Sequence, residues 1–297
     1  MKPKKRSIVS YWRDYLFIAP FFIVFFAFTI LPVVIAIGIS FSHYNILELP
    51  QFAGLANYIK MFFNDDIFTQ AVMNTLVLAF ATGPVGYLLA LLLAWMINEL
   101  SPKLRTLFVF CIYAPSITGS MYMIWQILFS DDSHGLINGM LINLNIIDSP
   151  IYWLTDTRYM MTIVIIVQLW MSMGTGFLSF VAGLQGVDRS LLEAGSLDGI
   201  KNRWQELWYV VLPSIRPQLT FGAVMSITAA FSIADITINL CGNPSTDYAV
   251  HTVVNHLVDY GSTRFDMGYA SAIATVLFIA MVVSNKAFQR MISKIGG

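Results

Sequence analysis

The sequence predicts an all-α polytopic membrane protein with six transmembrane helices, and three observations carry that reading. Of 297 residues, 57% are hydrophobic and only 11% charged, with a mean hydropathy of +0.69. A soluble domain of this length needs more polar surface than that, so the excess apolar content must face lipid. Six apolar runs are long enough to cross a hydrocarbon core, which takes about 20 helical residues. Lysine and arginine gather in alternate connections between those runs.

The first run, Leu16–Ser40, follows Lys2, Lys4, Lys5 and Arg6. It exceeds the roughly 7–15 apolar residues of a signal peptide, so it reads as an uncleaved anchor. The others are Ala71–Ile97, Leu104–Leu128, Met161–Leu184, Leu219–Leu240 and Gly268–Ala287. Lys2 to Arg13 precede span one, Lys103 and Arg105 follow span two, and Arg189, Lys201, Arg203 and Arg216 follow span four. Lys286, Arg290 and Lys294 close the chain, while the opposite side carries only Lys60, Arg158 and Arg264. Basic residues accumulate in the cytoplasm, which places both termini and the connection at about 186–217 there. The whole of 1–297 reads as one integral-membrane domain. Its external connections are aromatic and mildly acidic, with Asp65-Asp66 after Phe62-Phe63 and Asp131-Asp132 before His134-Gly135. They fit short surface helices over a cavity, or plain connectors with Tyr152, Trp153 and Tyr159 as interfacial belt residues.

Spans four and five each carry a polar stripe. Gln168, Ser172, Thr175 and Ser179 share one helical face, as do Thr228, Ser232, Asp235 and Asn239. An aspartate in mid-span costs about 2.5–3.5 kcal/mol on insertion scales, so Asp235 should face a wet cavity or a partner. Hydroxyls and carboxamides beside it suit a path for a polar, uncharged solute, although Ser and Thr also serve as glue between membrane helices. Trp125 and Trp170 suit either stacking on a sugar ring or packing.

Other chemistry is excluded. There is no GxxxxGK[ST] phosphate loop and no GxSxG elbow. Zero net charge gives no reason to bind nucleic acid. Cys111 and Cys241 lack metal-ligand spacing and read as small apolar groups. His251 and His256, five apart, do not share a helical face for a metal and read as surface histidines.

The connection Glu193–Pro217 is patterned as two short helices around a glycine. Glu193, Ala194, Gly195, Ser196 and Leu197 begin it with small side chains that permit close approach to another protein, and Glu193 is expected near the helix start. Asp198-Gly199 ends that helix, with Gly199 suited to a left-handed conformation. A second helix over Lys201–Val211 would place Trp204, Leu207, Trp208 and Val211 on one side, and Pro213 and Pro217 redirect the chain.

Glu193-Ala194-Gly195, Asp198-Gly199, Leu212-Pro213 and Pro217 resemble the EAA loop that marks permease subunits of binding-protein-dependent ABC importers, with Gly195 where the usual form has alanine. Phe231–Asp235, Gly242-Asn243-Pro244 and Gly268–Ala272 are similar to the ending of carbohydrate-type permeases, with Asn243 in place of the usual glycine. The resemblance implies the type I ABC importer permease fold in a bacterial cell membrane. It implies that Glu193 to Gly199 couple to the ATP-binding subunit. It also implies that Gln168, Met171, Ser172, Ser232, Asp235 and Asn239 touch substrate, to which the stripe adds Thr175. The implied partners are a second homologous permease, two ATP-binding cassette subunits, an extracellular solute-binding protein and the lipid bilayer. This chain is then expected to bind no cofactor, with ATP and Mg used by its partners, and to be no enzyme. The solute would be a sugar or oligosaccharide. The competing expectation is a stand-alone secondary transporter or channel, in which Asp235 relays protons or binds a cation.

Overall fold

A computed structural model describes residues 12–119 and 121–292, with side chains from 15 to 290. Lys2, Lys4, Lys5, Arg6 and Lys294, which support the expected orientation, lie outside the described residues, as does the side chain of Arg13. Two compact units are present, one up to Asn64 together with Tyr260–Thr275, the other Asp65–Asp259 together with the chain from Val276.

In the first unit, α1 (Trp12–Phe25), a π-helical turn (Phe26–Ile30) and α2 (Leu31–Ile39) form one apolar helix. None of residues 15–39 is buried, and Phe17 and Phe28 are 86% and 79% exposed. A minimal hairpin of β1 (Ser42–His43) and β2 (Gln51–Phe52) leads into α3 (Ala56–Phe63). Asn57 donates from Nδ2 to the carbonyls of Ser40 and Ser42, 2.9 Å each, which fixes the hairpin on the helix. Lys60 lies over the Tyr269 ring at 4.0 Å and pairs with Asp266 at 3.4 Å.

The second unit is organised on α4 (Asp66–Asn98), capped by Asp65, whose carboxylate accepts from the Phe68 N–H. It is followed by α5 (Pro102–Ile117), α6 (Tyr122–Leu128), α7 (Leu136–Asn143), α8 (Thr157–Met171) and α9 (Thr175–Gln185). Then come α10 (Arg189–Leu197), α11 (Arg203–Glu206), a π-helical turn (Leu207–Val211), α12 (Leu212–Ser214), α13 (Arg216–Phe231), α14 (Asp235–Cys241) and α15 (Val253–Val258). The last helix, α16 (Met267–Ile292), begins in the first unit and ends in the second.

Four stretches are long and apolar enough to span a membrane as they stand, and the bent pairs α5–α6 and α8–α9 bring the number to six. The expected six spans are therefore present, but spans three, four and five are interrupted where the sequence pattern predicted continuous helices. The connections expected on the external side contain α3, α7 and α15, which agrees with short helices rather than plain connectors.

Two apolar clusters hold α4 to its neighbours. Leu91, Ala94 and Ile97 meet Phe177, Phe180, Leu184, Leu207 and Leu219, while Leu78 meets Met160, Val164, Val167, Ile233 and Leu240. Lipid tails are as apolar as leucine, so close van der Waals fit rather than water exclusion holds such helices together. Small residues permit it: a Cβ on Gly176 would stand 3.5 Å from the Gly222 Cα, and one on Gly222 would collide with the Phe180 ring. Gly222→Val should therefore force α9 and α13 apart and cost ~1–3 kcal/mol, as overpacking does. The check is the thermal midpoint of the purified protein, which should fall for Gly222→Val and recover part of the loss when Phe180→Leu is added.

Candidate functional site

Both interruptions in spans four and five have local causes. α8 stops at Met171, and Ser172 caps it by donating its N–H to the Gln168 carbonyl at 2.8 Å. The run Ser172-Met173-Gly174-Thr175-Gly176 is poor in helix formers. Gly174 leaves helical geometry (φ −99, ψ −139), and α9 restarts 40° away. In span five, α13 ends at Phe231, Ala234 has φ −146 and ψ −47, and α14 begins at Asp235. Irregular backbone is tolerated at membrane depth only where it is buried in protein or lines a wet cavity.

Here the two breaks line the same cavity, of about 320 Å³. Gln168, Met171, Ser172 and Thr175 reach it from span four, Ser232 and Asp235 from span five. Thr82 and Gly86 of α4, Ser116 and Tyr122 of span three and Ser226 of α13 add to the wall, and a Cβ on Gly86 would come within 2.9 Å of the Ser172 hydroxyl. The volume lies at the lower end of the ~300–1,000 Å³ of small-molecule sites. Asp235 is exposed to the cavity and forms no ion pair among the described residues.

The stripes themselves are corrected. Each break resets the helical register, so Ser179, Thr228 and Asn239 do not line the cavity. Asn239 turns back on its own helix, donating Nδ2 to the Asp235 carbonyl at 2.6 Å, while its own carbonyl accepts from Gln126 at 2.5 Å. Sequence reasoning missed Thr82, Gly86, Ser116, Tyr122 and Ser226; the one available signal was the Gly83–Gly86 pair in an otherwise bulky span. Trp125 stacks on Phe129 (5.8 Å, 9°) and meets Trp170 edge-on (5.5 Å, 71°), so both belong to packing.

The segment after α14, expected on the external side, is strapped to the start of α4. Gln70 donates to the Asp247 and Tyr248 carbonyls, Asn74 to those of Tyr248 and His251, and Thr75 accepts from the Val253 N–H at 2.9 Å. His251 and His256 are not surface residues: each is 1% exposed, their rings 3.3 Å apart through Nε2 and Nδ1. His256 Nε2 lies 3.1 Å from Asp65 Oδ2. Spacing alone hid this, because Asp65, the partner of His256, stands 191 residues away in the chain.

At the opposite end, α10 starts at Arg189, so Glu193 sits in its middle rather than near its start. Asp188 is the cap, accepting from the Ser190 N–H, and that bond holds its carboxyl below the usual range. Glu193, Ala194, Ser196, Leu197, Asp198 and Gly199 are exposed, Leu197 by 89%. Gly195 alone is buried, where a Cβ would meet Ile200 at 2.9 Å and Val210 at 3.1 Å. Gly199 has φ +95 and open space around it. The second helix is shorter than expected. Its π-helical turn shifts the register, so Leu207 and Val211 turn inward while Trp204 and Trp208 stay exposed. Arg203 ties it to α4 through Glu99 at 3.2 Å.

Residues 83–294 match the family model described as binding-protein-dependent transport system inner membrane component. The chain is 31% identical to the arabinooligosaccharides transport system permease protein AraP of Bacillus subtilis (strain 168), over 95% of each. It is 29% identical to the lactose transport system permease protein LacF of Rhizobium radiobacter, over 95% of this chain and 96% of that protein. Its fold matches a chain of a bacterial alginate ABC transporter solved in complex with an alginate pentasaccharide-bound periplasmic protein, with a TM-score of 0.78, 24% identity and 98% of each chain covered.

Asp188→Ala should expose the first turn of α10, seen as several-fold faster hydrogen exchange at Ser190 and Leu191. Because the folded carboxyl is depressed, the cap's contribution is present above the ordinary carboxylate range and is lost as pH falls through the lowered value. The unsubstituted protein should therefore approach the Asp188→Ala exchange rate only in acid.

Proposed function

This chain belongs to the family of binding-protein-dependent transport system inner membrane components, and from that premise we propose that it passes a sugar or oligosaccharide across the membrane. Its fold is that of type I ABC importer permeases. The observation that carries the solute path is the cavity shared by the two broken spans. Hydroxyls, one carboxamide and one carboxylate line it, a set that exchanges hydrogen bonds with a polyol. The relatives' oligosaccharide and lactose transport supports the same solute class. Gln168, Met171, Ser172, Thr175, Ser232 and Asp235 form the wall that the solute touches. Asn239 acts behind it, through the Asp235 main chain.

ATP hydrolysis, with Mg, falls to two separate cassette subunits, and this chain itself binds no cofactor and catalyses no reaction. Glu193 to Gly199 are the contact with a cassette subunit. Six of those seven positions are exposed, and Leu197 offers an apolar side chain beyond the helix. A second permease subunit covers the unburied first helix and the open side of the cavity. An external binding protein delivers the solute, as the family description implies. The chain acts as one permease domain in a bacterial cell membrane, with the α10 side cytoplasmic. Purifying the tagged chain from membranes tests this assembly: it should bring a second permease and two cassette subunits, and recovery of this chain alone would refute it.

Asp235→Ala should lower solute flux in proteoliposomes about tenfold while leaving cassette association unchanged, in keeping with one lost charged contact of roughly 1.5–3 kcal/mol. Normal flux and affinity would remove Asp235 from the path. Gly199→Val forces a β-branched residue into φ +95, a strain of ~1–2 kcal/mol that no neighbour causes. It should lower the solute moved per ATP hydrolysed, measured with radiolabelled sugar and phosphate release together.

A further inference from the structure

A broken helix leaves carbonyls that its own ladder no longer satisfies, and at the break in span five one of them is met by a side chain from the external segment. The Ile233 carbonyl accepts from Thr252 Oγ1 at 2.7 Å, while the Ala234 carbonyl accepts from the Ile238 N–H of its own helix and from Thr237 Oγ1, each at 2.8 Å. Both hydroxyls also stand against one end of the Asn255 side-chain amide, at 2.7 Å from Thr252 and 3.0 Å from Thr237. Thr237 and Asn255 are 0% exposed and Thr252 1%, so bulk water does not reach this group.

Proton counting orients the amide. Each hydroxyl has one proton and commits it to a carbonyl, so the amide must be the donor to both. With its oxygen at that end, two amide protons are left buried without a partner, whereas the reverse orientation leaves only the oxygen unpaired. The hydrogen-bond network places the amide nitrogen toward the two threonines. Each hydroxyl then gives one bond and receives one, and Thr252 accepts in addition from the Asn255 N–H at 3.2 Å.

Building on the transport reading above, we propose that Thr252 and Asn255 are positioning residues of the translocation cavity. They clamp the break so that Ser232 and Asp235 stand at its wall, and they carry displacements of the external segment to that wall. The segment is suited to this because its other face is bonded to α4 through Asp65, Gln70, Asn74 and Thr75. The segment therefore links the break to α4, the opposite wall of the cavity, and a push on it from outside reaches both walls.

The test uses the assembled transporter in proteoliposomes, with Cys111→Ser and Cys241→Ser as background and a reporter thiol at Ser232→Cys. A control thiol at Ser226→Cys lines the same cavity from α13. Thr252→Val keeps the shape and removes the hydroxyl. It should change the maleimide labelling rate at position 232 by about fivefold, the scale of one lost hydrogen bond. Labelling at 226 should stay unchanged, and Thr252→Ser should restore the rate at 232. Equal change at both positions, or a lowered melting temperature with no change at 232, would overturn the clamp in favour of a purely structural role. Asn255→Asp is the second variant, since a carboxylate cannot donate to either hydroxyl. It should reproduce the Thr252→Val labelling, and an unaltered rate would overturn the assigned amide. Labelling needs neither solute nor ATP. Failure of the unsubstituted complex to hydrolyse ATP with sugar-loaded binding protein would therefore count against the transport reading alone.

Discussion

Every buried main-chain N–H and C=O in a membrane needs a partner from within the protein or from a wet cavity, and the two broken spans are where this chain meets that demand. At Ser172–Gly174 the demand is met locally, since Ser172 caps α8 and Gly174 donates to the Ser172 carbonyl at 2.7 Å. At Ser232–Ala234 it is met locally for Ala234, by Ile238 and Thr237, and from a distance for Ile233, by Thr252, with both threonines tied to one buried asparagine. The cavity, the placement of Asp235 and the attachment of the segment after α14 all follow from those two solutions.

Long, uniform signals were legible in the sequence. Predominantly apolar runs of twenty residues or more located all six spans, and small residues followed by Asp198-Gly199 located the turn at which Gly199 takes φ +95. The cavity residues were largely legible too, but for a reason that only partly held. Ser172 and Thr175 share a wall because a break presents both of them, not because they share the face of a continuous helix.

Breaks and long-range pairs stayed hidden. Serine and glycine each cost well under or near 1 kcal/mol in a helix, too little to tell an interrupted span from a continuous one held by its neighbours. His251 and His256 were misread because burial is set by Asp65 and Asn74, far away in the chain. The π-helical turn at Leu207–Val211 split the tryptophans from the apolar face, and no residue in that turn announces it. Thr82 and Gly86 of α4 escaped notice because small residues in a membrane helix serve packing and lining equally well.

Gly195 gives the loop a further meaning. The α10 residue at this position is the one that packs inward, against Ile200 and Val210, while its neighbours remain outside. A force applied to the exposed face of α10 is thus delivered through a contact with no slack, across Val210 and the adjoining Val211 to Leu212 and Ile215, just ahead of α13. The loop has no room for added volume at that contact. Its tolerance should accordingly be narrow for side-chain volume at this one buried point and wide for chemistry on the outer face.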